Sequence, residues 1–544
     1  MQEQNLRDLS RDLKRNLSRL MEQRSNFESH WQEIADVLLP RRADITKERA
    51  KGDKRNIEIF DGTAIHSLEL LAASLHGMLT SSANRWFSLR FKEPILNDED
   101  EAKEWLDDAT NKMYVAFNRS NFQQEVFECY HDLIAFGTAC LMIEEDREDI
   151  VRFSSRHIKE LYIMENDKGF VDTIYRKFKM PAQAIVSKFG AENVSTSVQN
   201  AFKKNPFDEI SLVHVVRPRL MYDEKKKDKK NMPFESIYFE YESGHIISQG
   251  GFKELPYVVP RYLKGSSEIY GRSPGMNALP DVKVLNKMVE VSLKAAAKMV
   301  DPPLLVPDDS MILPVRTAPG SLNYYRSGSR DKIEPLQIGA NSPLGINLEN
   351  QRRDAIAKTF YVDQLMMSGS NRSMTATEVT ARNEERMRIL GPALSRLQNE
   401  LLQPMIIRVF NIMLRNNLFV QAPQMLAGQE VDIEYVSPMA IAQRSQELQS
   451  IMRGLEVFGS ISQVSPVTDY IDENGLVKTI INVLGLPAKM IRSDAQVRQK
   501  REQQAQQQQM QMQMQQELAG SEIARNSAPM VKALNGTQQQ QQPQ

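Results

Sequence analysis

Four lysines, Lys283, Lys287, Lys294 and Lys298, carry the spacing in this chain that points most directly to a chemistry. They lie within YGRSPGMNALPDVKVLNKMVEVSLKAAAKMVDPPLLVP, Tyr270 to Pro307. At about 100° per residue they fall within roughly 60° of one another on a helix. A line of ammonium groups suits a polyanion, and a phosphate backbone above all, which it can touch without reading base sequence. Pro274 and Pro280 sit where a chain can enter a helix. Nothing breaks it from Asp281 to Val300, and Pro302 and Pro303 stop it. About 20 residues make a rod on the order of 30 Å long. The remainder is apolar or small: Val282, Val284, Leu285, Met288, Val289, Val291, Leu293, Ala295, Ala296, Ala297 and Met299. A helix apolar over most of its circumference must be buried on several sides. In a ring of such helices the lysines would face the hole and the apolar faces would pack on neighbours. Standing alone, the same pattern is an ordinary core helix with one solvated face.

Other chemistry is missing. There is no G-x-x-x-x-G-K-[ST] phosphate cradle, no H-E-x-x-H and no G-x-S-x-G, so we expect no enzyme, no cofactor and no metal site. The seven histidines, His66, His76 and His131 among them, lie apart and read as packed or surface residues. Glu144, Glu145, Asp146, Glu148 and Asp149 could in principle hold Mg²⁺, but between two short strands they read as a solvated hairpin tip. Cys129 and Cys140 have no ligand or redox spacing, which fits a reducing interior. With 69 basic and 70 acidic residues the net charge is −1, so any contact with nucleic acid must be local. The charged N-terminus excludes a signal peptide, and no apolar run approaches the length of a membrane span. At 544 residues the chain should hold two to four domains.

The elements that must position the lysines are legible in outline. Leucines at three-to-four spacing from Leu6 to Leu20 predict one or two amphipathic helices over residues 1–40. After a basic loop, Thr46 to Arg55, helices are expected over IFDGTAIHSLELLAASLHGMLT, Asp98 to Asn118 and Phe122 to Phe136. From Gly137 the period becomes strand-like: CLMIEED, IVRFSS, LYIMEN, FVDTIYRKF, ISLVHVVRP, SIYFEYES and HIISQGGF. Helical pieces interrupt at Pro181 to Phe189 and Ala191 to Asn205, and DEKKKDKKN reads as a hairpin tip. Residues 301–346 look like a small β-containing insertion, followed by a helix from Leu348 to Met367 and a Gly/Ser loop. A long helix from Thr375, with a T-x-x-E capping box and a kink at Pro392, comes next. The glutamine-rich end is low-complexity.

Taken in order, WQEIADVLLPRR, IFDGTAIHSLELLAASLHGMLTSSANRWFSLRF, FGTACLMIEED, ELYIMENDKGFVDTIYRKFKM, the YGRSP helix and MTATEVTARNEERMRILGP resemble the head-to-tail connector (portal) proteins of podovirus-type tailed bacteriophages. The resemblance covers roughly residues 10 to 480. It implies an α+β, mainly α, portal fold of wing, stem, clip and crown, assembled as a dodecameric ring with a central channel. Mapped onto this chain, the wing would take residues 1–265, the first stem helix 266–300, the clip 301–346 and the second stem helix 347–367. A tunnel loop would take 368–374 (Ser368, Gly369, Ser370, Asn371 and Ser373 among them), a long kinked wing helix 375–436 and a crown 437–500. The tail 501–544 would be a helical barrel or disordered. Lys283, Lys287, Lys294 and Lys298 would line the DNA channel, with Arg352, Arg353, Lys358 and Arg372 as second-rank candidates that could instead bridge subunits. The implied partners are further copies of the chain, double-stranded DNA held without sequence specificity, the terminase large subunit at the clip, the major capsid and scaffold proteins, and tail adaptor proteins, with no membrane. The implied place is the unique vertex of the virion, assembled in the host bacterial cytoplasm, where the ring would pass the genome in during packaging and out during ejection. The alternative is another non-enzymatic virion component, a scaffold or a tail adaptor.

Overall fold

A computed structural model describes residues 2–50, 52–55, 58–93, 97, 99–223, 225–226, 228–305, 334–335, 343–366, 376–422, 431–435, 450–457, 475–477, 480, 497 and 499–514. The chain divides into two compact units. One comprises Met1–Ser88, Ala109–Val420 and Ile433–Ala442, the other Leu89–Asp108, Gln421–Asp432 and Gln443–Gln544.

The leucine spacing of the N-terminus becomes one uninterrupted helix, α1 (Gln2–Leu38), followed by α2 (Thr63–Leu79), strand β1 (Phe87–Phe91), α3 (Asp100–Arg119) and α4 (Phe122–Phe136). The strand-like block follows as β2 (Leu141–Asp146), β3 (Ile150–Ser155), β4 (Leu161–Glu165) and β5 (Val171–Pro181), helices α5 (Ala182–Phe189) and α6 (Thr196–Lys204), then β6 (Glu209–Pro218), β7 (Phe234–Glu240), β8 (Ile246–Phe252) and β9 (Tyr257–Val258). Strands β4 to β8 form a five-stranded sheet in chain order, antiparallel at each step.

Period-two alternation decides what covers each face of that sheet. Val213 and Val215 of β6 and Ile237 and Phe239 of β7 meet Leu13, Leu17 and Leu20 of α1. Leu212 and Tyr238, one residue out of phase, meet Ile185, Val194 and Val198 of the α5–α6 segment. The ENDKG turn between β4 and β5 closes as its residues require. Asn166 Oδ1 accepts from the Lys168 and Phe170 backbones, and Gly169 takes a left-handed φ of 78°.

The acidic group at the β2–β3 turn is a hairpin tip. Asp146 Oδ1 accepts from Glu148 and Asp149 backbone N–H groups, and those bonds hold its carboxyl below the usual range. Among the described residues no group of His, Cys, Asp and Glu is arranged to hold a metal, and no helix is long and apolar enough to cross a membrane.

Beyond the sheet come α7 (Pro274–Val300), β10 (Leu304–Leu305), β11 (Glu334–Pro335), α8 (Pro343–Thr359), α9 (Val362–Leu365), α10 (Ala376–Leu397), α11 (Gln403–Arg415) and β12 (Val431–Tyr435). The helix expected from Leu348 to Met367 is broken at Tyr361, whose φ of 59° is left-handed. Strand β10 pairs with β11; the rest of the proposed clip, the capping-box residue Thr375 and most of the proposed crown lie outside the described residues. Pro392 lies inside α10, and a π-turn follows at Gln398–Leu402. That turn carries Glu400, which accepts from Arg261 through Nη2 at 2.8 Å and Nε at 2.9 Å. Glu165 takes Arg261 Nη1, and the Arg261 side chain is fully enclosed.

In the second unit, Phe91 stacks on Trp105, Asn97 bonds the Phe91 backbone in both directions, and Arg90 pairs with Asp432 at 3.1 Å. The glutamine-rich stretch is helical and exposed over 499–514.

Candidate nucleic-acid interface

The YGRSP segment explains why α7 starts where it does. Gly137 ends α4 with a left-handed φ of 76°, and a Cβ built there would lie 2.3 Å from the Gly271 carbonyl oxygen. Only glycine permits that crossing. The Gly271 N–H donates to Thr138 Oγ1 at 2.8 Å. Ser273 Oγ donates to the Ala135 carbonyl and accepts from Met276 N–H, so one hydroxyl both caps α7 and ties it to α4. Pro274 then occupies the first turn, where its missing N–H costs nothing. Trp31 of α1 packs edge-on to Tyr270 and donates its indole N–H to the Phe136 carbonyl. Pro280 proves to be inside the helix rather than at its entrance.

From this anchor α7 runs out of the core. Met276, Ala278, Leu279, Val282 and Leu285 are buried. Past Glu290 nearly every residue is exposed: Val291 is 55% exposed, Leu293 53% and Val300 87%. Helix α8 runs back along one side of α7, with Ser292 donating to Glu349 at 2.6 Å and Arg352 to Asp281 at 2.7 Å. Ser292 and Asp281 lie roughly 160–180° around the helix from Lys283. The lysine line therefore points away from α8. Val284 and Val291 fall about 80–100° to one side of Lys283, Leu293 and Val300 about 80–100° to the other, and all four are exposed. The basic line thus runs between two apolar flanks that the described residues leave exposed.

The lysines differ in their partners. Lys283 Nζ lies 2.6 Å from Glu33 of α1. Lys287 and Lys294 share Glu290, at 2.9 and 2.5 Å. Lys298 is exposed and has no acidic partner among the described residues. Those two lysines, Lys294 foremost, hold the Glu290 carboxyl below the usual range. Glu290 is the residue within this basic line that the lysine spacing alone passes over. Helical arithmetic could have found it, three residues after Lys287 and four before Lys294, about 20° outside the lysine arc.

Two of the second-rank candidates are engaged elsewhere. Arg352 is held by Asp281, and Arg353 by Asp61 at 3.0 Å and Glu349 at 3.5 Å. Lys358 is exposed at the end of α8. Arg372 and the loop residues Ser368, Gly369, Ser370, Asn371 and Ser373 lie outside the described residues. Asn286 fixes the neighbouring loop, accepting from Phe60 N–H and donating to the Glu58 carbonyl, both at 2.7 Å.

The histidines serve packing. His214 is buried, bonded to Tyr257 and Ser236 and stacked on Tyr238. Burial drives it well below its ordinary pKa. His76 bonds Thr80 and His131 bonds the Phe127 carbonyl.

Comparison with known proteins gives the geometry its context. A family model described as the bacteriophage head to tail connecting protein matches residues 10–491. The probable portal protein of Bordetella phage BPP-1 is 32% identical over 499 residues, 89% of each chain. The portal protein of Salmonella phage epsilon15 is 32% identical over 505 residues, 90% of each. A chain from the virion of a native gene transfer agent particle aligns with 77% of this chain and 92% of its own at 10% identity; its TM-score of 0.36 is too low to carry an argument. With the family model and two portal proteins each matching nearly the whole length, this chain belongs to the bacteriophage head-to-tail connecting, or portal, protein family.

Proposed function

We propose that this chain forms a dodecameric portal ring, through whose central channel the genome enters the phage head during packaging and leaves during ejection. The observation that carries the reading is the outer half of α7, a basic line between two exposed apolar flanks. An exposed apolar flank on each side of one helix suits a head-to-tail interface, in which different surfaces of identical neighbours meet and the rotation closes a ring. Covering Val291 and Leu293 in that way turns the lysine line toward the axis.

At the axis the lysines become stacked basic rings. Along the helix they are spaced by about 6, 10 and 6 Å, while duplex DNA presents one phosphate charge per about 1.7 Å of axis. Contacts made only with phosphates are blind to sequence and let the duplex slide. Lys298 and the pair Lys287 and Lys294 are the primary contacts in this reading. Arg352 and Arg353 act as struts within the subunit. The clip, 301–346, receives the terminase large subunit, whose ATPase drives packaging, and later the tail adaptor proteins. Capsid and scaffold proteins surround the wing at the unique vertex, after assembly in the bacterial cytoplasm.

The test is cryo-electron microscopy of the purified protein, followed by packaging with K287E/K294E rings. Closed rings lined by α7, with packaging impaired in the variant, are expected. Compact dimers without a hole, or unchanged packaging, would overturn the ring or the lysine contact respectively.

A further inference from the structure

The lysine line carries its own counter-charge. Glu290 divides its two carboxylate oxygens between lysines one turn away on either side, Oε2 accepting from Lys287 and Oε1 from Lys294. A surface meant only to grip phosphate has no use for a carboxylate at its centre, because it repels the ligand and occupies the ammonium groups that would hold it. The Glu290 side chain is 18% exposed, set between two lysines that are 71% and 68% exposed. Position 290 lies nearly opposite the face that meets α8, to which Ser292 contributes its bond with Glu349.

We propose that Glu290 is a brake on DNA affinity, competing with passing phosphates for Lys287 and Lys294 so that the channel holds duplex DNA weakly enough to slide. The proposal rests on the reading that these lysines face duplex. A phosphate that reaches Lys294 displaces Glu290, and when it moves on Glu290 returns. One anion replaces another around the same ammonium group, so the free energy changes little as the duplex advances. The carboxyl is ionised under neutral conditions, since both lysines hold its pKa down. Lys298, with no acidic partner among the described residues, is the contact without such a brake. The bland account of the same pairs is helix stabilisation by i,i+3 and i,i+4 neighbours, and it makes a different prediction.

The experiment measures binding of a short blunt duplex to rings across a KCl series. It uses wild type, E290Q, E290A, K287Q/K294Q and K287Q/K294Q/E290Q, with rings verified by electron microscopy. Removing the carboxylate by either substitution should tighten binding by about 3–10-fold and steepen the log K against log[salt] slope by about one, because lysines are freed to replace counterions. K287Q/K294Q should weaken binding, and adding E290Q to that pair should change little. An unchanged affinity and slope in E290Q and E290A, with K287Q/K294Q weakened, overturns the brake and leaves the channel reading standing. The same holds if E290Q lowers thermal stability without moving the slope, or tightens binding equally without the lysines. Wild-type affinity in K287Q/K294Q overturns the channel contact itself, and the brake with it.

Discussion

Arg261 and the pair Lys287 and Lys294 are all basic residues held by glutamate, in opposite surroundings. Arg261 is enclosed, with Glu400 gripping it through two nitrogens and Glu165 through a third. The lysines lie at the surface, with side chains 71% and 68% exposed. Inside, a charge persists only because every donor is paired, and the pairing fixes which elements meet. Outside, water competes for both lysines, and the proposed brake requires that Glu290, 18% exposed between them, release them at little cost. The buried set holds the π-turn of the long helix against the segment that leads into α7; the exposed set is free to exchange partners.

The most severe way to break that contrast is R261M. It removes the cation shared by Glu400 and Glu165 and leaves Glu400 with Arg396 and Glu165 with Lys264 alone, which should cost about 2–4 kcal/mol. Chemical denaturation would show a lower midpoint with an unchanged slope. A loss below about 1 kcal/mol would mean that the network is no more structural than the lysine pairs.

Acid sharpens the contrast by reaching the core. Burial takes His157 down to about 4 from 6.5, against the opposing pull of the hydrogen bond between its Nε2 and the Arg42 carbonyl. The unfolded chain therefore binds more protons below about pH 6.5, and stability falls as pH drops from there toward 4. Between pH 7 and 5 this one group should cost about 2 kcal/mol. His214 acts in the same direction. Asp132, which burial pushes up to about 7, acts in the opposite one. Subtracting the H157Q profile from wild type isolates the term, and parallel profiles would show that His157 is not held neutral.

How far these regions could be read in the chain differs, for physical reasons. The five strands of the sheet and the helices around it follow from period, because alternation and helical spacing are local properties. Leu212 against Val213 already encodes two covered faces. The lysine line and its apolar flanks are legible for the same reason. Pairing across the chain is not: nothing local says that Arg261 meets Glu400, or that Arg353 meets Asp61 instead of standing free. Pro280 misled because proline marks a helix entrance more often than an interior, and the Ser273 cap with the Gly137–Gly271 crossing sets the true start upstream. The π-turn has no signal of its own in the local sequence, and its Glu400 meets a partner 139 residues away. Glu290 was within reach of arithmetic and was hidden by attention to the lysines alone.

The outer half of α7 supplies the next contrast, between a flank that serves the subunit and one left bare. L293S/V300S should leave the isolated fold intact, since both residues are at least half exposed. It should weaken each subunit contact by on the order of 1–2 kcal/mol. Because the proposed ring would repeat that loss at every contact, the expected result is monomer by analytical ultracentrifugation at concentrations where wild type is assembled. Undiminished assembly would place the interface on other surfaces. L285A, on the buried half, should instead destabilise the subunit by about 2–5 kcal/mol.

The smallest expected effect concerns Lys283, the one lysine of the line that pairs with another element among the described residues. Lys283 pairs with Glu33 of α1 with both side chains about half exposed. An exposed ion pair contributes roughly 0–1 kcal/mol and is screened by salt. K283Q should therefore shift the thermal midpoint by no more than about 2 °C, and the shift should vanish at high ionic strength. If Lys283 belongs with the lines of the channel, duplex binding by the variant rings should still lose salt dependence, because a counterion-releasing contact has gone. A large loss of stability with unchanged duplex binding would move Lys283 from the DNA-facing set to the struts, beside Arg352 and Arg353, and would shorten the basic line to its outer three residues.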